Sequence, residues 1–166
     1  MLRLIAAIDE TRGVANEHGI PWQGKIPMDT NRFHELTSDG IIVMGYGTYE
    51  EYDKPLHGRD NFVVSHRDGV ELRPGFVLVP NADQFFAEHE VDVVWLIGGA
   101  ALFSDSLARA DQLFLTQLDG DFHCTKFFPE FAGAFDLVND DGPHTENGIT
   151  FRFATWEAQR ARRTHC

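Results

Sequence analysis

Short apolar runs separated by amphipathic or polar stretches recur along the 166-residue chain. Uninterrupted apolar runs of this kind are typical of strands that are buried on both faces of a sheet. A cleanly alternating run near the C-terminus instead predicts a half-exposed strand, and a short run before it predicts an edge strand. The pattern therefore predicts strands at residues 2–8, 41–44, 62–65, 76–79, 91–97, 113–118, 136–139 and 149–156.

Helices are predicted between the earlier strands, where apolar residues recur at helical spacing. They cover residues 29–37, 48–52, 83–89 and 100–111. Short helical crossovers imply parallel strands, whereas turns at 141–143 and 147–148 imply an antiparallel C-terminal edge. The predicted fold is a single-domain α/β fold over residues 1–166, with a frayed tail at 160–166. Its central sheet is mixed and mostly parallel, with about eight strands flanked by about four helices.

The stretch from residue 19 to residue 36 begins with glycine and proline breakers and ends as a short amphipathic helix. Asp29 shares the apolar face of that helix with Met28, Phe33 and Leu36. An acidic residue in a first turn is most often a cap that faces the positive helix end. The alternative is a carboxylate in an apolar pocket, where desolvation raises its pKa. Trp22, in the preceding long loop, is expected to pack on the core or on a ligand.

The composition narrows the classes of function. A formal net charge of −12 disfavours contact with a phosphate backbone, so no nucleic-acid partner is expected. The two cysteines offer neither a disulfide framework nor a metal-ligand pattern. No apolar run is long enough to span a membrane, and the N-terminus lacks a signal-peptide pattern. We therefore expect a cytoplasmic protein without a metal site or a membrane partner.

Two predicted strands end in glycines and lead directly into a helix. Gly45 and Gly47, followed by Thr48, come after the second strand, and Gly98-Gly99 follows the fifth. Without side chains at such a turn, the backbone can approach a ligand phosphate at a helix N-terminus. The pattern is not the GxGxxG dinucleotide fingerprint, and turns of this kind occur in many α/β proteins. It favours a ligand site at the carboxyl ends of the strands.

Several motifs follow one another in the order and at the spacing of a known family. They are LIAAI, GIPW, IPMDTNRF, VMGYGTYE, PLHGRDNFVVS, LIGGAALF, LTQL and FFPEF. Through them the chain resembles the dihydrofolate reductase family along essentially its whole length. The resemblance implies reduction of dihydrofolate to tetrahydrofolate in one-carbon metabolism, with a hydride from NADPH reaching C6 of the pterin and a proton reaching N5. It also implies dihydrofolate and antifolate-type molecules as partners, and we expect a monomer.

By the same resemblance, Asp29 is the ionisable group of the pterin pocket, Trp22 helps to order the proton-delivering water, and Thr116 bonds Asp29 or the 2-amino group. Arg59 would hold the α-carboxylate of the glutamate tail, which suits its bidentate guanidinium. On sequence alone, however, such an arginine is more often a solvated turn residue. The substrate-binding residues implied are Ile5, Ala6, Ala7, Asp29, Phe33, Tyr52, Arg59, Ile97 and Thr116.

The residues implied for the cofactor lie mostly after the strands that end in glycines. They are Ala7, Val14, Ile20, Gly45, Tyr46, Gly47, Thr48, Ser65, His66, Arg67, Ile97, Gly98, Gly99, Ala100, Ala101, Leu102 and Phe103. Many family members carry arginines where this chain has Tyr46 and Ala101, while His66 and Arg67 are placed to compensate toward the 2′-phosphate. We therefore predict NADPH as the cofactor, with reduced discrimination against NADH. The family also joins its paired glycines by a cis peptide.

Two alternatives stay open at this point. The reductase domain of riboflavin synthesis shares the sheet and the cofactor cleft, but it lacks the Pro-Trp loop followed by a pocket aspartate. A non-catalytic nucleotide-binding homologue would not need Asp29, Trp22, Thr116 and Arg59 together. A further departure from the family is Thr125, which replaces an acidic residue usual before the FFPEF segment. That replacement puts the usual anchoring of the loop that closes over nicotinamide in doubt.

Overall fold

The computed structural model describes residues 1–38 and 40–159. The strands in this part of the chain are β1 (Leu2–Ile8), β2 (Gly13–Ala15), β3 (Ile41–Gly45), β4 (Asp60–Val64), β5 (Phe76–Val79), β6 (Val94–Leu96), β7 (Gln112–Leu118), β8 (Lys126–Phe127), β9 (Phe135–Glu146) and β10 (Ile149–Ala158). The helices are α1 (Pro27–Leu36), α2 (Tyr46–Glu50), α3 (Ala82–Glu88) and α4 (Ala100–Ser106), and a 3₁₀ turn at Leu107–Arg109 follows α4. The predicted tail at 160–166 lies outside the described residues.

Within the described residues, eight strands form one sheet in the order β5-β4-β3-β6-β1-β7-β10-β9. The pairs from β5 to β7 are parallel, whereas β10 runs antiparallel to both β7 and β9. This arrangement confirms the predicted α/β fold with an antiparallel C-terminal edge. Leu4, Val43, Leu96 and Leu115 on the central strands have no exposed surface. Full burial of such side chains contributes about 1.5–3 kcal/mol each to folding.

The fifth predicted strand is shorter than the apolar run that predicted it. Residues 91–97 were expected to form it, but β6 spans only Val94–Leu96. Val91 is 96% exposed, because a turn that follows α3 takes up this part of the run. In that turn the Asp92 N–H donates to the His89 carbonyl at 3.1 Å. The prediction is therefore wrong at both ends of the strand.

The C-terminal hairpin is longer than predicted. β9 spans Phe135–Glu146 and not 136–139, and the turn predicted at 141–143 lies inside it. The ladder shifts register between Phe151 and Phe153, opposite this point, and such a bulge tolerates a proline that has no N–H to donate. The predicted tight turn at Asn147-Gly148 is present, with both residues at positive φ.

The long segment after β1 contains a second, small sheet. β2 pairs antiparallel with β8, so the long loop predicted before Asp29 is partly structured. This pairing brings the segment after β1 against the segment between β7 and β8. In the part of the chain that the structure describes, no helix has the length and apolar character needed to cross a membrane.

Candidate active site

A cleft of about 1470 Å³ opens at the carboxyl ends of β1, β3 and β6. Open α/β sheets place ligand sites at this edge, where loops from neighbouring strands meet. Its walls come from the segment after β2, from α1, from the start of α2 and from the residues around α4. The predicted site residues that line it are Ile5, Ala6, Ala7, Val14, Ile20, Trp22, Asp29, Phe33, Gly45, Tyr46, Gly47, Thr48, Tyr52, His66, Ile97, Gly98, Gly99, Ala100, Ala101, Leu102 and Phe103.

Asp29 is held in the cleft by a hydrogen bond from the sheet. Thr116, which is 2% exposed on β7, donates its hydroxyl to Asp29 Oδ1 at 2.5 Å. The N-cap of α1 is Ile26, and no side chain caps it among the described residues, so Asp29 does not take the capping role that was its alternative. Burial raises the pKa of Asp29, although the Thr116 hydrogen bond and the charge of Arg32 lower it. Asp29 is therefore a pocket carboxylate.

Arg32 is a charged neighbour of Asp29 that the sequence reasoning missed. Its guanidinium carbon lies 4.5 Å from the ring centroid of Phe153 and 5.9 Å from that of Phe114. Burial lowers the pKa of Arg32, and the charges of Asp29 and Asp141 act in the opposite direction. The available signal was the i,i+3 spacing of Asp29 and Arg32, which places both residues on one helix face. Arg32 thus supplies positive charge on the sheet side of the pocket.

The tip of the β9–β10 hairpin holds the start of α1. Glu146 Oε1 accepts a hydrogen bond from the Met28 N–H at 2.8 Å, and Asn147 Nδ2 donates to the Lys25 carbonyl at 2.6 Å. Met28 does not share the buried face with Asp29 as the helical pattern predicts, because Asp29 points to the sheet and its neighbour turns outward, leaving Met28 37% exposed. These bonds join residues 118 and 122 positions apart, so nothing local in the sequence indicates them.

Trp22 closes one side of the cleft and is almost fully buried. Its side chain is 3% exposed and packs edge-on against Phe122, with ring centroids 5.2 Å apart and planes at 77°. Ile20 stays 38% exposed at the rim of the cleft. Two turns fix the backbone around both residues: the Gln23 N–H donates to the Ile20 carbonyl at 3.1 Å, and the Lys25 N–H donates to the Trp22 carbonyl at 3.0 Å. Trp22 therefore packs on the core and lines the cleft at the same time.

Gly98 and Gly99 form a bare stretch of backbone opposite α2. A cis peptide joins them, as the resemblance implies, and the Gly98 carbonyl accepts from the Gly45 N–H at 2.7 Å. A Cβ added to Gly98 would lie 2.9 Å from the Thr48 hydroxyl oxygen, and one added to Gly99 would lie 3.4 Å from it. Gly98 also has a φ of +143°, which residues with a side chain rarely adopt. The glycines thus keep a cradle open that side chains would fill.

Arg67 stacks on Tyr46 at the edge of the cleft. Its guanidinium carbon lies 4.6 Å from the ring centroid of Tyr46. Ser65 is buried, and its hydroxyl accepts from the Arg67 N–H at 3.2 Å. His66 Nδ1 lies 3.0 Å from the Pro80 carbonyl. Tyr46 and His66 line the cleft, whereas Ser65 and Arg67 do not. Arg67 is therefore connected to the cleft only indirectly, by stacking on Tyr46.

Arg59 lies beside the C-terminal end of α1, outside the cleft wall. Its Nε donates to the His57 carbonyl and its Nη1 donates to the Thr37 hydroxyl, both at 3.0 Å. The same hydroxyl donates to the Phe33 carbonyl at 2.7 Å. Among the hydrogen bonds of the described residues, none uses Nη2 of Arg59. The guanidinium is therefore held through its Nε and Nη1 atoms.

The cleft extends further than the sequence reasoning predicted. Beyond Ala101 it is also lined by Asp83, Asp105 and Arg109, and an ion pair joins Arg109 to Asp83 there. No spacing in the sequence indicates these residues, because α3 and the 3₁₀ turn meet only in the folded chain. The extra length gives room for an extended ligand beside the bare glycines.

Comparison with known proteins identifies the family of the chain that forms this cleft. The family model for dihydrofolate reductase matches residues 1–158. The chain is 30% identical over 164 residues to dihydrofolate reductase type 3 of Salmonella typhimurium, covering 96% of this chain and 99% of that protein. It is 31% identical over 164 residues to the dihydrofolate reductase of Bacillus subtilis (strain 168), covering 97% and 96%.

A solved structure shows the same fold. Dihydrofolate reductase from Enterococcus faecalis, complexed with NADP(H) and RAB-propyl, is similar with a TM-score of 0.86 and 23% identity, and the match covers 96% of each chain. The sequence match spans the large sheet, the segment that carries Trp22 and Asp29, and the glycine cradle. The predicted fold, family and class of enzyme are confirmed, and the chain belongs to the dihydrofolate reductase family.

Proposed function

We propose that this chain reduces 7,8-dihydrofolate to 5,6,7,8-tetrahydrofolate with NADPH, which supplies the hydride. One observation carries the proposal: the Asp29 carboxylate, bonded to Thr116, shares a cleft with the bare backbone of Gly98-Gly99. A carboxylate can hold the nitrogen-rich edge of a pterin, and bare backbone leaves room for a diphosphate. The cleft volume of about 1470 Å³ is ample for both molecules.

Asp29 binds and orients the pterin in this proposal. Thr116 occupies one acceptor position on Oδ1, so acceptor positions remain for a ring N–H and the 2-amino group, which lie side by side on the pterin. Burial raises the pKa of Asp29, whereas the hydrogen bond from Thr116 favours the ionised form. The negative charge in turn makes N5 of the bound ring more basic, so that N5 takes a proton from water.

Trp22 and Ile20 limit the access of water to the reacting atoms. Trp22 is fixed by its contact with Phe122, and Ile20 is exposed at the rim, where a bound ligand would cover it. Excluding bulk water strengthens the electrostatic interactions of a site and prevents side reactions. The proton at N5 would then come from a water held near Trp22.

The residues present fit the cofactor. Gly98 and Gly99 keep open a cradle that a Cβ would fill, and Thr48 faces it. Arg67, stacked on Tyr46, offers positive charge beside the cleft, where the 2′-phosphate of NADPH would need it. Because this cation lies outside the cleft wall, we propose that NADPH is preferred only moderately over NADH.

Arg59 would bind the α-carboxylate of the glutamate tail. The bonds to Thr37 and His57 orient its guanidinium, and Nη2 faces no partner among the described residues. A planar guanidinium that is already oriented loses little freedom when it binds a carboxylate. The remaining predictions, a monomeric protein in the cytoplasm, complete the proposal, and sedimentation of the purified protein tests the first.

The activity is tested by the fall in NADPH absorbance when dihydrofolate is added. We expect turnover by the wild type and a loss of about a hundredfold or more in Asp29→Asn at neutral pH, because the pterin loses its charged partner. Asp140→Asn is the matched control, since Asp140 lies on β9 and its carboxylate bonds to Arg152 on the exposed hairpin. Cofactor binding without turnover would favour the non-catalytic homologue, and an active Asp29→Asn would remove Asp29 from the mechanism.

Cofactor preference is tested by kcat/KM for NADPH and NADH. Arg67→Ala should lower kcat/KM for NADPH while leaving that for NADH unchanged, because only NADPH carries the 2′-phosphate. Arg152→Ala, on the exposed hairpin, is the matched control. A wild-type preference of about a thousandfold or more for NADPH would contradict the proposed weak discrimination.

A further inference from the structure

Asp9 is a buried carboxylate that the proposed reaction does not use. It follows β1 directly, is 2% exposed, and is not part of the cleft wall. Burial alone would raise its pKa, but the hydrogen bonds that it accepts from Phe122, Thr11 and Gly13 bring the pKa below its ordinary value. Asp9 is therefore ionised at neutral pH, and hydrogen bonds stabilise its charge.

The two oxygens of Asp9 bind different parts of the chain. Oδ1 accepts from the Thr11 N–H at 2.9 Å, the Thr11 hydroxyl at 2.7 Å and the Gly13 N–H at 2.8 Å, all within its own segment. Oδ2 accepts from the Phe122 N–H at 2.9 Å, which lies 113 positions away. One oxygen thus shapes the segment of residues 9–26, and the other ties it to the segment of residues 119–125.

These two segments pack closely around Asp9. A Cβ on Gly13 would lie 2.4 Å from the Cβ of Cys124, so only glycine fits there. Burial and the charge of Asp9 raise the pKa of the Cys124 thiol to about 11, which keeps it uncharged beside the carboxylate. The Thr125 N–H also donates to the Ala15 carbonyl at 2.9 Å. The junction is therefore a specific contact that leaves no space for a side chain.

The junction leads directly to the cleft. Phe122, whose N–H is held by Asp9, packs its ring edge-on against Trp22. Trp22 lines the cleft, and it belongs to the segment whose start Asp9 shapes. Asp9 thus acts on Trp22 along two routes, through the backbone from Gly13 onward and through the ring of Phe122.

We propose that Asp9 is a positioning residue for the reductase reaction, tying the segment of residues 9–26 to the segment of residues 119–125 so that Trp22 stays against the cleft. The inference rests on the proposed function. It also gives a physical anchor for the segment in which Thr125 replaces the acidic residue usual in the family. The anchoring charge lies on Asp9, on the opposite side of the junction.

The division between the two oxygens gives a selective test. In Asp9→Asn the amide oxygen can keep the bonds to Thr11 and Gly13, but the amide NH₂ then faces the Phe122 N–H, donor against donor. We expect kcat to fall about tenfold with little change in KM for dihydrofolate, the size expected for losing a hydrogen bond to a charged group. Thr11→Ala is the matched control, because it removes one bond to Oδ1 and keeps the bond to Phe122. Its kcat should equal that of the wild type.

A double-mutant cycle separates positioning from general destabilisation. Phe122→Ala keeps the N–H but removes the ring from Trp22, and we expect kcat to fall by a similar factor. In the Phe122→Ala background, Asp9→Asn should have an effect of less than about threefold, because the same path is already broken. Additive losses would overturn the proposal, as would an unchanged kcat in either single variant. If Asp9→Asn fails to fold, an unchanged kcat in Phe122→Ala still overturns the proposal, because the position of Trp22 would then not depend on this junction.

A second readout does not depend on turnover. Subtracting the spectrum of the matching Trp22→Phe variant isolates the fluorescence of Trp22, which should shift to longer wavelength in Asp9→Asn as water reaches the indole, and stay unchanged in Thr11→Ala. An unshifted spectrum overturns the positioning role even if the wild type does not reduce dihydrofolate. Absence of wild-type turnover together with the shift would instead contradict the proposed function alone.

Discussion

Replacing Thr116 by valine removes the hydroxyl that bonds Asp29 and keeps nearly the same side-chain shape. Hydrogen bonds to charged groups contribute about 1.5–3 kcal/mol. The Asp29 side chain borders an open cleft, where water can replace part of the lost bond, so the lower end of that range applies. Since about 1.4 kcal/mol corresponds to a factor of ten, a loss of about 1.5 kcal/mol should lower kcat/KM for dihydrofolate slightly more than tenfold.

The assay is steady-state reduction of dihydrofolate at neutral pH by the wild type, the two single variants Thr116→Val and Asp29→Asn, and the double variant. In the Asp29→Asn background, Thr116→Val should change kcat/KM by less than about threefold, because the charged acceptor is already gone. Thr150→Val is a matched control: its hydroxyl contacts that of Thr145 at 3.0 Å on the exposed hairpin. That variant should keep wild-type activity.

Two results would refute the reasoning about Thr116. An unchanged kcat/KM in Thr116→Val would mean that the bond to Asp29 contributes nothing to the reaction. An equal loss in both backgrounds would mean that Thr116 acts on the substrate independently of Asp29. If Thr116→Val lowers activity in the wild type but not in the Asp29→Asn background, the hydroxyl of Thr116 acts through the carboxylate of Asp29.

Three further predictions concern the same cleft. The pKa of Asp29 is higher in the folded chain than its ordinary value of 3.8. Asp29 therefore contributes to the free energy of unfolding below pH 3.8, and this contribution is lost as the pH rises through the raised pKa. In urea unfolding, Asp29→Asn should therefore be more stable than the wild type at neutral pH but not below pH 3.8, and equal stability at both would contradict this. Arg32→Met should raise the pKa of Asp29 in a carboxyl NMR titration, since the charge of Arg32 lowers it, whereas Arg32→Lys should change it less. Gly98→Ala should weaken NADPH binding in calorimetry by about tenfold or more, because its Cβ would meet Thr48, whereas Gly133→Ala meets nothing within 4 Å and should bind as the wild type does.

The sheet could be predicted wherever an apolar run has the same limits as its strand. β1 and β5 agree with the prediction residue for residue: the first run stops at Asp9, and the second lies between Gly75 and Pro80. The strand predicted from the apolar run at 91–97 is too long, because part of the start of the run forms a turn. Hydrophobicity alone does not distinguish such a turn from a strand. β9 is instead longer than predicted. Its middle is acidic and contains Gly142-Pro143, so only its pairing with β10 makes this part a strand.

The candidate site divides in the same way between local and distant contacts. The paired glycines and the position of Asp29 on α1 follow from spacing and from the resemblance, because both patterns lie within short stretches of sequence. The contacts of Glu146 with Met28 and of Asp9 with Phe122 join positions 118 and 113 residues apart. They depend on strand order and register, which the pattern of a single sequence does not specify.

The helix that carries Asp29 is held largely by polar contacts that also tune the site. Within the described residues α1 has no fully buried side chain, so apolar packing alone does not fix its position. Its start is bound by Glu146, and its first turn is bound by Thr116 through Asp29. The charge of Glu146 raises the pKa of Asp29, whereas the hydroxyl of Thr116 lowers it. The contacts that hold the helix in place therefore also set the pKa of Asp29. Removing the buried charge of Asp29 stabilises the fold only in a variant that still offers Thr116 an acceptor, as Asp29→Asn does.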